Sequence, residues 1–285
     1  MSKRFGVSKI IFVCFSSLGL AACGGGGGGG GGGVTITTNS FSGTYDSVDL
    51  NMSGTTLASY SNQSSGSMTV TSKVRSDSLI SYAKFSTAAG DKTFDTDNGA
   101  TIATFTSGAI GVDSTGDGAI FHLDYYSGYG IWEITTGSRS RIFVGQAGTN
   151  QTSNPAAVVS SASYSGYSLG LLSEVGYAPI FTSGTFSANA NFASGTMSVA
   201  TSNTRGISLN GADLGSYAAD NFSGTLSKSG ANNYTYTGTV TNGYSGSGTA
   251  TLNVYGPAAN SVAGSAILTK GDGSRKHSVS FGGTR

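Results

Sequence analysis

Two short stretches, Phe222-Ser223-Gly224-Thr225-Leu226 and Tyr236-Thr237-Gly238-Thr239-Val240, repeat one pattern: aromatic, any residue, glycine, threonine, apolar. Phe41-Ser42-Gly43-Thr44-Tyr45 shows it again near the start of the chain. In a strand successive side chains point to opposite faces, so the aromatic, the glycine and the apolar residue share one face. Glycine on an inner face lets a strand bend sharply and lets facing side chains approach. A small closed barrel needs this, because its strands tilt and coil. The pattern predicts an all-β chain whose second half is an antiparallel up-and-down barrel of about eight strands.

Working outward, further short alternating runs read as strands. In the first half these are Met68 to Val74, Ile102 to Phe105, Ile120 to Tyr126, Ile131 to Thr135 and Arg141 to Val144. Gly128-Tyr129-Gly130 reads as the turn between two of them, and Ser76 to Phe85 as a short helix. Gly145 to Pro155, rich in Gly, Gln, Asn, Thr and Ser, reads as a linker between packed units. Beyond it, strands are predicted at Thr185 to Phe192, Gly248 to Tyr255, Ala263 to Leu268 and Ser278 to Phe281, with Asp272-Gly273 turning the last pair. The 46 glycines and three prolines in 285 residues fit short strands and many turns. Charged residues make up only 10% of the chain, but regularly spaced aromatics argue against disorder.

The N-terminus carries a different signal. Lys3, Arg4 and Lys9 precede an apolar run from Ile10 to Leu20, and Leu20-Ala21-Ala22-Cys23 leads into ten glycines, Gly24 to Gly33. The apolar run is too short to span a bilayer and reads as a signal segment. The small-residue site ending in cysteine resembles a bacterial lipoprotein signal, which implies cleavage after residue 22 and acylation of Cys23. More than one acyl chain makes such anchoring stable. The glycine run is a flexible tether reaching roughly 17 Å on average. It is not a phosphate loop, because no strand precedes it and no Gly-Lys-Ser/Thr follows. Cleavage would remove Cys14 as well and leave one cysteine, so the mature chain has no internal disulfide.

Removing residues 1–22 takes away three basic residues and no acidic ones, leaving twelve against fourteen, a net −2. A nearly neutral body has no electrostatic footprint for nucleic acid. A membrane-spanning barrel would place its apolar residues outside and polar ones inside, and the aromatics here are too sparse for lipid-facing girdles.

The C-terminal stretch Val254-Tyr255-Gly256-Pro257-Ala258-Ala259, then Val262-Ala263-Gly264, then Phe281-Gly282-Gly283-Thr284-Arg285, resembles the closing hairpin of the transferrin-binding protein B family of surface lipoproteins. Leu123-Asp124-Tyr125 to Trp132, Phe143-Val144-Gly145 and Ala162-Ser163-Tyr164-Ser165-Gly166 fit that family's crossover from handle to barrel. The resemblance implies a small N-terminal β-rich handle domain at residues 34–150 and an eight-stranded barrel at 155–285, behind a signal peptide (1–22) and a lipidated tether (23–33). It implies an outer-membrane, surface-exposed receptor lipoprotein. Its partner would be an extracellular protein or a haem-type ligand, for iron or haem acquisition, with a TonB-dependent receptor beside it. The alternative is a surface adhesion, host-factor-binding or structural lipoprotein with no iron role. The chain has room for one lobe where the large transferrin receptors have two. The resemblance carries over no ligand-contacting residue.

Candidate chemistry is sparse. His122 and His277 are the only histidines, and Glu133 and Glu174 the only glutamates. His122, near Asp124 and Tyr126, reads as a polar-face strand residue, and His277 beside Arg275 and Lys276 as a solvated strand end. Asp113-Ser114-Thr115-Gly116-Asp117-Gly118, with Asp124 twelve positions from its start, has the spacing of a calcium loop. It lacks the loop's acidic third position, its glutamate and its flanking helices, so it reads as a turn. No nucleophile elbow or zinc-ligand pair occurs. The expectation is a non-enzyme with no cofactor, metal site or catalytic residue, Cys23 being the one assigned site. Tyr125, Tyr126, Tyr129 and Trp132 form the densest aromatic cluster, read as packed handle core or handle–barrel interface ahead of an exposed hot spot.

Overall fold

The computed structural model describes residues 36–75, 79–105, 108–136, 139–149, 152, 154–208, 212–229 and 234–285. Cys23, the leader and the tether lie outside the described residues, as do residues 76–78 of the expected helix.

The first nine strands are β1 (Ile36–Ser53), β2 (Thr56–Arg75), β3 (Ile80–Thr87), β4 (Gly90–Asp95), β5 (Thr101–Phe105), β6 (Gly108–Val112), β7 (Gly118–Leu123), β8 (Ser127–Thr136) and β9 (Arg139–Gly148). They form one antiparallel sheet in the order β4-β3-β2-β1-β9-β8-β7-β6-β5, so β4 and β5 are its two edges. The sheet curls around its own aromatic core. Trp132 stacks on Phe143 at 5.2 Å and on Phe85 at 4.7 Å, and Phe41, Tyr45, Met68, Phe94 and Phe121 complete the interior.

The second nine are β10 (Ser161–Glu174), β11 (Ile180–Asn191), β12 (Thr196–Ile207), β13 (Asp213–Ser216), β14 (Phe222–Lys228), β15 (Thr235–Asn242), β16 (Gly246–Tyr255), β17 (Ser261–Lys270) and β18 (Arg275–Thr284). Eight of them close a ring. β10 pairs with β11, β11 with β12, β12 with β14, then β15, β16, β17 and β18 follow, and β18 returns to β10. The short β13 hangs on β12 outside the ring. The expected eight-stranded up-and-down barrel is therefore present, and closure removes the ring's edges.

The repeated pentapeptides do what their parity required. Phe222, Leu226, Tyr236 and Val240 are all buried in the barrel interior beside Phe186 and Phe281. Gly224 pairs with Val240 across the ladder, and a Cβ on Gly238 would lie 2.5 Å from the Thr225 carbonyl oxygen. The barrel exterior is polar: β11 exposes Thr185, Ser187, Asn189 and Asn191 between buried Phe186, Ala188 and Ala190. This polarity is the inverse of a membrane-spanning barrel.

A third core joins the two sheets. Val48, Leu50, Ile110, Ile120, Ile131, Ile142 and Val144 of the first sheet meet Leu169, Leu171, Phe181, Tyr255 and Ala263 of the barrel. Two aromatic–glycine contacts lock it. The Tyr129 ring lies over Gly282, where a Cβ would fall 2.5 Å from the ring, and its hydroxyl donates to the Gly282 carbonyl at 3.2 Å. Conversely the Tyr255 ring covers Gly148, where a Cβ would fall 2.4 Å away, and its hydroxyl donates to Gln146 Oε1. The terminal Phe-Gly-Gly motif thus includes a bare spot on the barrel wall onto which an aromatic of the first sheet docks.

Three sequence readings are corrected. Residues 80–85 are strand, because buried Ala83 and Phe85 alternate with Tyr82 and Lys84 in a period of two. Gly128-Tyr129-Gly130 lies inside β8, and the turn is Asp124–Ser127, where Asp124 Oδ1 accepts from the Tyr126 and Ser127 backbone N–H groups at 2.7 Å. Gly145 to Gly148, read as the start of a linker, continue β9, with Gln146 Nε2 donating to Thr44 Oγ1 at 3.1 Å.

Candidate functional site

The up-and-down order gathers four connections at one barrel mouth: 175–179, the described residues 212–221, 243–245 and 271–274. Arg275, the first residue of β18, organises them. Its Nη1 donates to Glu174 Oε2 and its Nη2 to Asp220 Oδ2, each at 2.6 Å, while its guanidinium lies 4.0 Å from the centroid of the Tyr244 ring. One cation thereby ties together the end of β10, a 3-10 turn at Ala218–Asp220 and the β15–β16 connection. Asp220 is only 1% exposed. Burial works against the Arg275 charge, but the two carboxylates more than offset it and hold the guanidinium protonated. The 3-10 turn is held across the mouth: its Ala219 carbonyl accepts from the Gly243 N–H at 2.9 Å, and Asn221 Oδ1 accepts from Thr204 N–H and Oγ1 at 3.1 and 2.7 Å.

The first sheet reaches the same mouth. Leu57, just past the β1–β2 turn, donates its N–H to the Tyr177 carbonyl at 2.9 Å and accepts from the Gly176 N–H at 2.8 Å. The Tyr60 hydroxyl donates to the Ser173 carbonyl at 2.5 Å, and burial pushes that phenol well above its ordinary range. On this fixed frame stand Val175, Tyr177 (65% exposed), Leu214 and Tyr244, all large apolar side chains facing solvent. Exposed aromatics on a rigid frame suit recognition of another protein.

The sequence-predicted residues fall elsewhere. His277, read as solvated, is buried inside the mouth with Nε2 3.0 Å from Thr182 Oγ1, because β18 turns it into the barrel while Lys276 stays at the surface side. Burial lowers its affinity for a proton. The unfolded chain therefore protonates first on acidification, and folding stability falls as pH drops below about 6.5. His277→Gln is expected to flatten that part of the profile, seen as a smaller loss of thermal midpoint between neutral and mildly acidic buffer than in the wild type. His122 lies between the rings of Tyr129 (5.2 Å) and Tyr167 (5.6 Å), and Asp124 is committed to its turn. The aromatic cluster divides: Trp132 is in the first sheet's core, Tyr129 and Tyr126 are at the inter-sheet contact, and Tyr125 is 83% exposed. The Asp113–Gly118 segment is a turn in which Lys92 Nζ lies against both Asp113 and Asp117. Sequence reasoning missed the Arg275–Glu174–Asp220–Tyr244 assembly, whose members are far apart in the chain and share no motif.

The fold defines an all-β chain with a closed eight-stranded barrel and a nine-stranded sheet docked on its wall. No protein-family model matches it, and no curated protein matches its sequence. Solved structures of similar fold include the vaccine antigen transferrin binding protein B from Haemophilus parasuis, 11% identical over 87% of this chain and 76% of that one, with a TM-score of 0.42. Isotype 1 transferrin binding protein B from serogroup B Neisseria meningitidis is 12% identical with the same coverage and a TM-score of 0.40. HpuA from Kingella denitrificans, solved in complex with human haemoglobin, is 14% identical over 87% of both chains, with a TM-score of 0.43. At such identities the likeness concerns fold alone.

Proposed function

We propose that this chain is an outer-membrane lipoprotein, anchored through an acylated Cys23 and the polyglycine tether, whose mouth surface binds an extracellular protein at the cell surface. In this reading residues 34–150 act as the handle and 155–285 as the barrel of a single receptor lobe. The observation that carries it is the placement of Val175, Tyr177, Leu214 and Tyr244 relative to β1. That strand starts at Ile36, three residues after the glycines, and runs 18 residues to the turn that meets the mouth. At roughly 3.3 Å per residue this is up to about 60 Å along a straight strand, so the apolar set lies at the opposite end of β1 from Ile36. A protein suits this surface better than haem, since His122 is wedged between two tyrosines and His277 is buried. Service in iron acquisition beside a TonB-dependent receptor belongs to the same proposal, and adhesion without an iron role is what failure of the iron part leaves.

Protease added to intact cells is expected to digest the body, whereas Cys23→Ser should move it out of the membrane fraction. Serum proteins retained by the wild-type protein should be lost by the double variant Tyr177→Ala, Leu214→Ser. A body protected from protease in intact cells would reject the surface placement. Retention unchanged by the double variant would reject this surface.

A further inference from the structure

The first sheet is open: among the described residues no ladder joins its edges β4 and β5. A polar cluster bridges that seam. Lys92 of β4 points inward beside Phe94, and its Nζ lies 2.5 Å from Asp113 Oδ2 and also against Asp117 Oδ2, on either side of the β6–β7 turn. Lys92 and Asp117 are 8% and 6% exposed, and Glu133 of β8 is 4% exposed. Thr135 connects them: its backbone N–H donates to Asp117 Oδ2 at 3.2 Å and its hydroxyl to Glu133 Oε1 at 3.4 Å, where Ser140 also donates.

The two aspartates are not equivalent. Asp113 Oδ1 accepts from the Thr115 N–H and Oγ1 and from the Asp117 N–H, at 2.8 to 3.0 Å. Those bonds and Lys92 outweigh its burial and keep Asp113 ionised. Asp117 has, among the described residues, only Lys92 and the Thr135 N–H as side-chain partners. Burial pushes the Glu133 carboxyl upward, towards holding its proton. The arrangement puts an amine, a carboxyl carbon and a nearby buried acid together where water is scarce. Reacting groups held so gain effective molarities of about 10⁵–10⁸ M over free solution.

We propose that Lys92 and Asp117 condense into an intramolecular isopeptide bond that fastens β4 to the β6–β7 turn across the open seam. The step balances without an oxidant or co-reactant. In the first step one ammonium proton passes to the Asp117 carboxylate that lies against it. The neutral Nζ then attacks Asp117 Cγ, the C–N bond forms, and a C–O bond breaks. The former carboxyl oxygen leaves as water, carrying the proton passed to it first and a second one lost by the nitrogen. Ammonium plus carboxylate have become amide plus water. Glu133 acts through Thr135 and is a positioning residue. No cysteine follows Cys23, so the body has no disulfide available to it.

The test is peptide mapping of the purified full chain after trypsin, which does not cut beside an amidated lysine. The expected product is one looped peptide, residues 85–139, uncut after Lys92 and lighter by one water than that span. Lys92→Arg keeps the ion pair and should retain the wild-type β circular dichroism while giving only linear peptides, as should Asp117→Ala. Glu133→Gln should fold and yield mostly linear peptides, a readout that a purely structural glutamate would leave unmoved. Linear Lys92 and Asp117 peptides from folded wild-type protein would overturn the proposal and leave an ion pair. So would a looped, water-deficient 85–139 peptide that survives Asp117→Ala.

Discussion

Arg275→Ala is expected to lower the stability of the protein by about 3–5 kcal/mol, the usual cost of removing one partner from a buried ion pair. The loss is large because of what remains. Asp220, 1% exposed, would be left buried without its counter-ion, and Glu174 would lose its partner as well. The Tyr244 ring would lose the cation above it. Chemical denaturation of the variant should show the midpoint falling with little change in slope, since the same surface is exposed on unfolding. Replacing Arg275 and Asp220 together by apolar residues of similar volume should recover much of the loss, because the penalty lies in the stranded carboxylate. An Arg275→Ala protein within about 0.5 kcal/mol of wild type, the ordinary range for a surface substitution, would mean that the mouth is not held by this cation.

Trp132→Ala should cost a similar amount, about 3–5 kcal/mol, by a different route. Trp132 is fully buried between Phe85 and Phe143. Its removal opens a cavity in a core built from both halves of an open sheet, which cannot collapse without shifting β3 or β9. Tyr125→Ala, seven residues earlier in the same aromatic cluster, should change stability by no more than about 0.5 kcal/mol, because its ring is 83% exposed. Equilibrium denaturation of the two variants side by side separates core from surface within one cluster.

The pair also indicates what was legible in the sequence. Parity along a strand decided the inward residues of the pentapeptides, and closure of the barrel followed from inward glycine at Gly224 and Gly238. Parity could not place Tyr129, which faces neither interior but the wall between the two sheets. That position is set by a partner, Gly282, 153 residues away. Ser76 to Phe85 misled because Ser, Lys and Ala are compatible with a helix, while the deciding fact, pairing of Val70 with Phe85, is tertiary. His277 misled because its charged neighbours suggested solvent, whereas alternation turned it inward. The mouth assembly was illegible for the same reason: Arg275 finds its carboxylates 101 and 55 residues away. Short-range pattern specifies which face a residue takes, and only the closed ring decides what waits on that face.

The pairing of β18 with both β17 and β10 has a consequence for biosynthesis. Until residues 275–284 are made, the nascent barrel has two unsatisfied edges, and its first strand waits about a hundred residues for its second neighbour. Non-local pairing of this kind is slow. Exported as proposed above, the chain would gain from that delay, since nothing can shut the cylinder while the polypeptide is still being delivered.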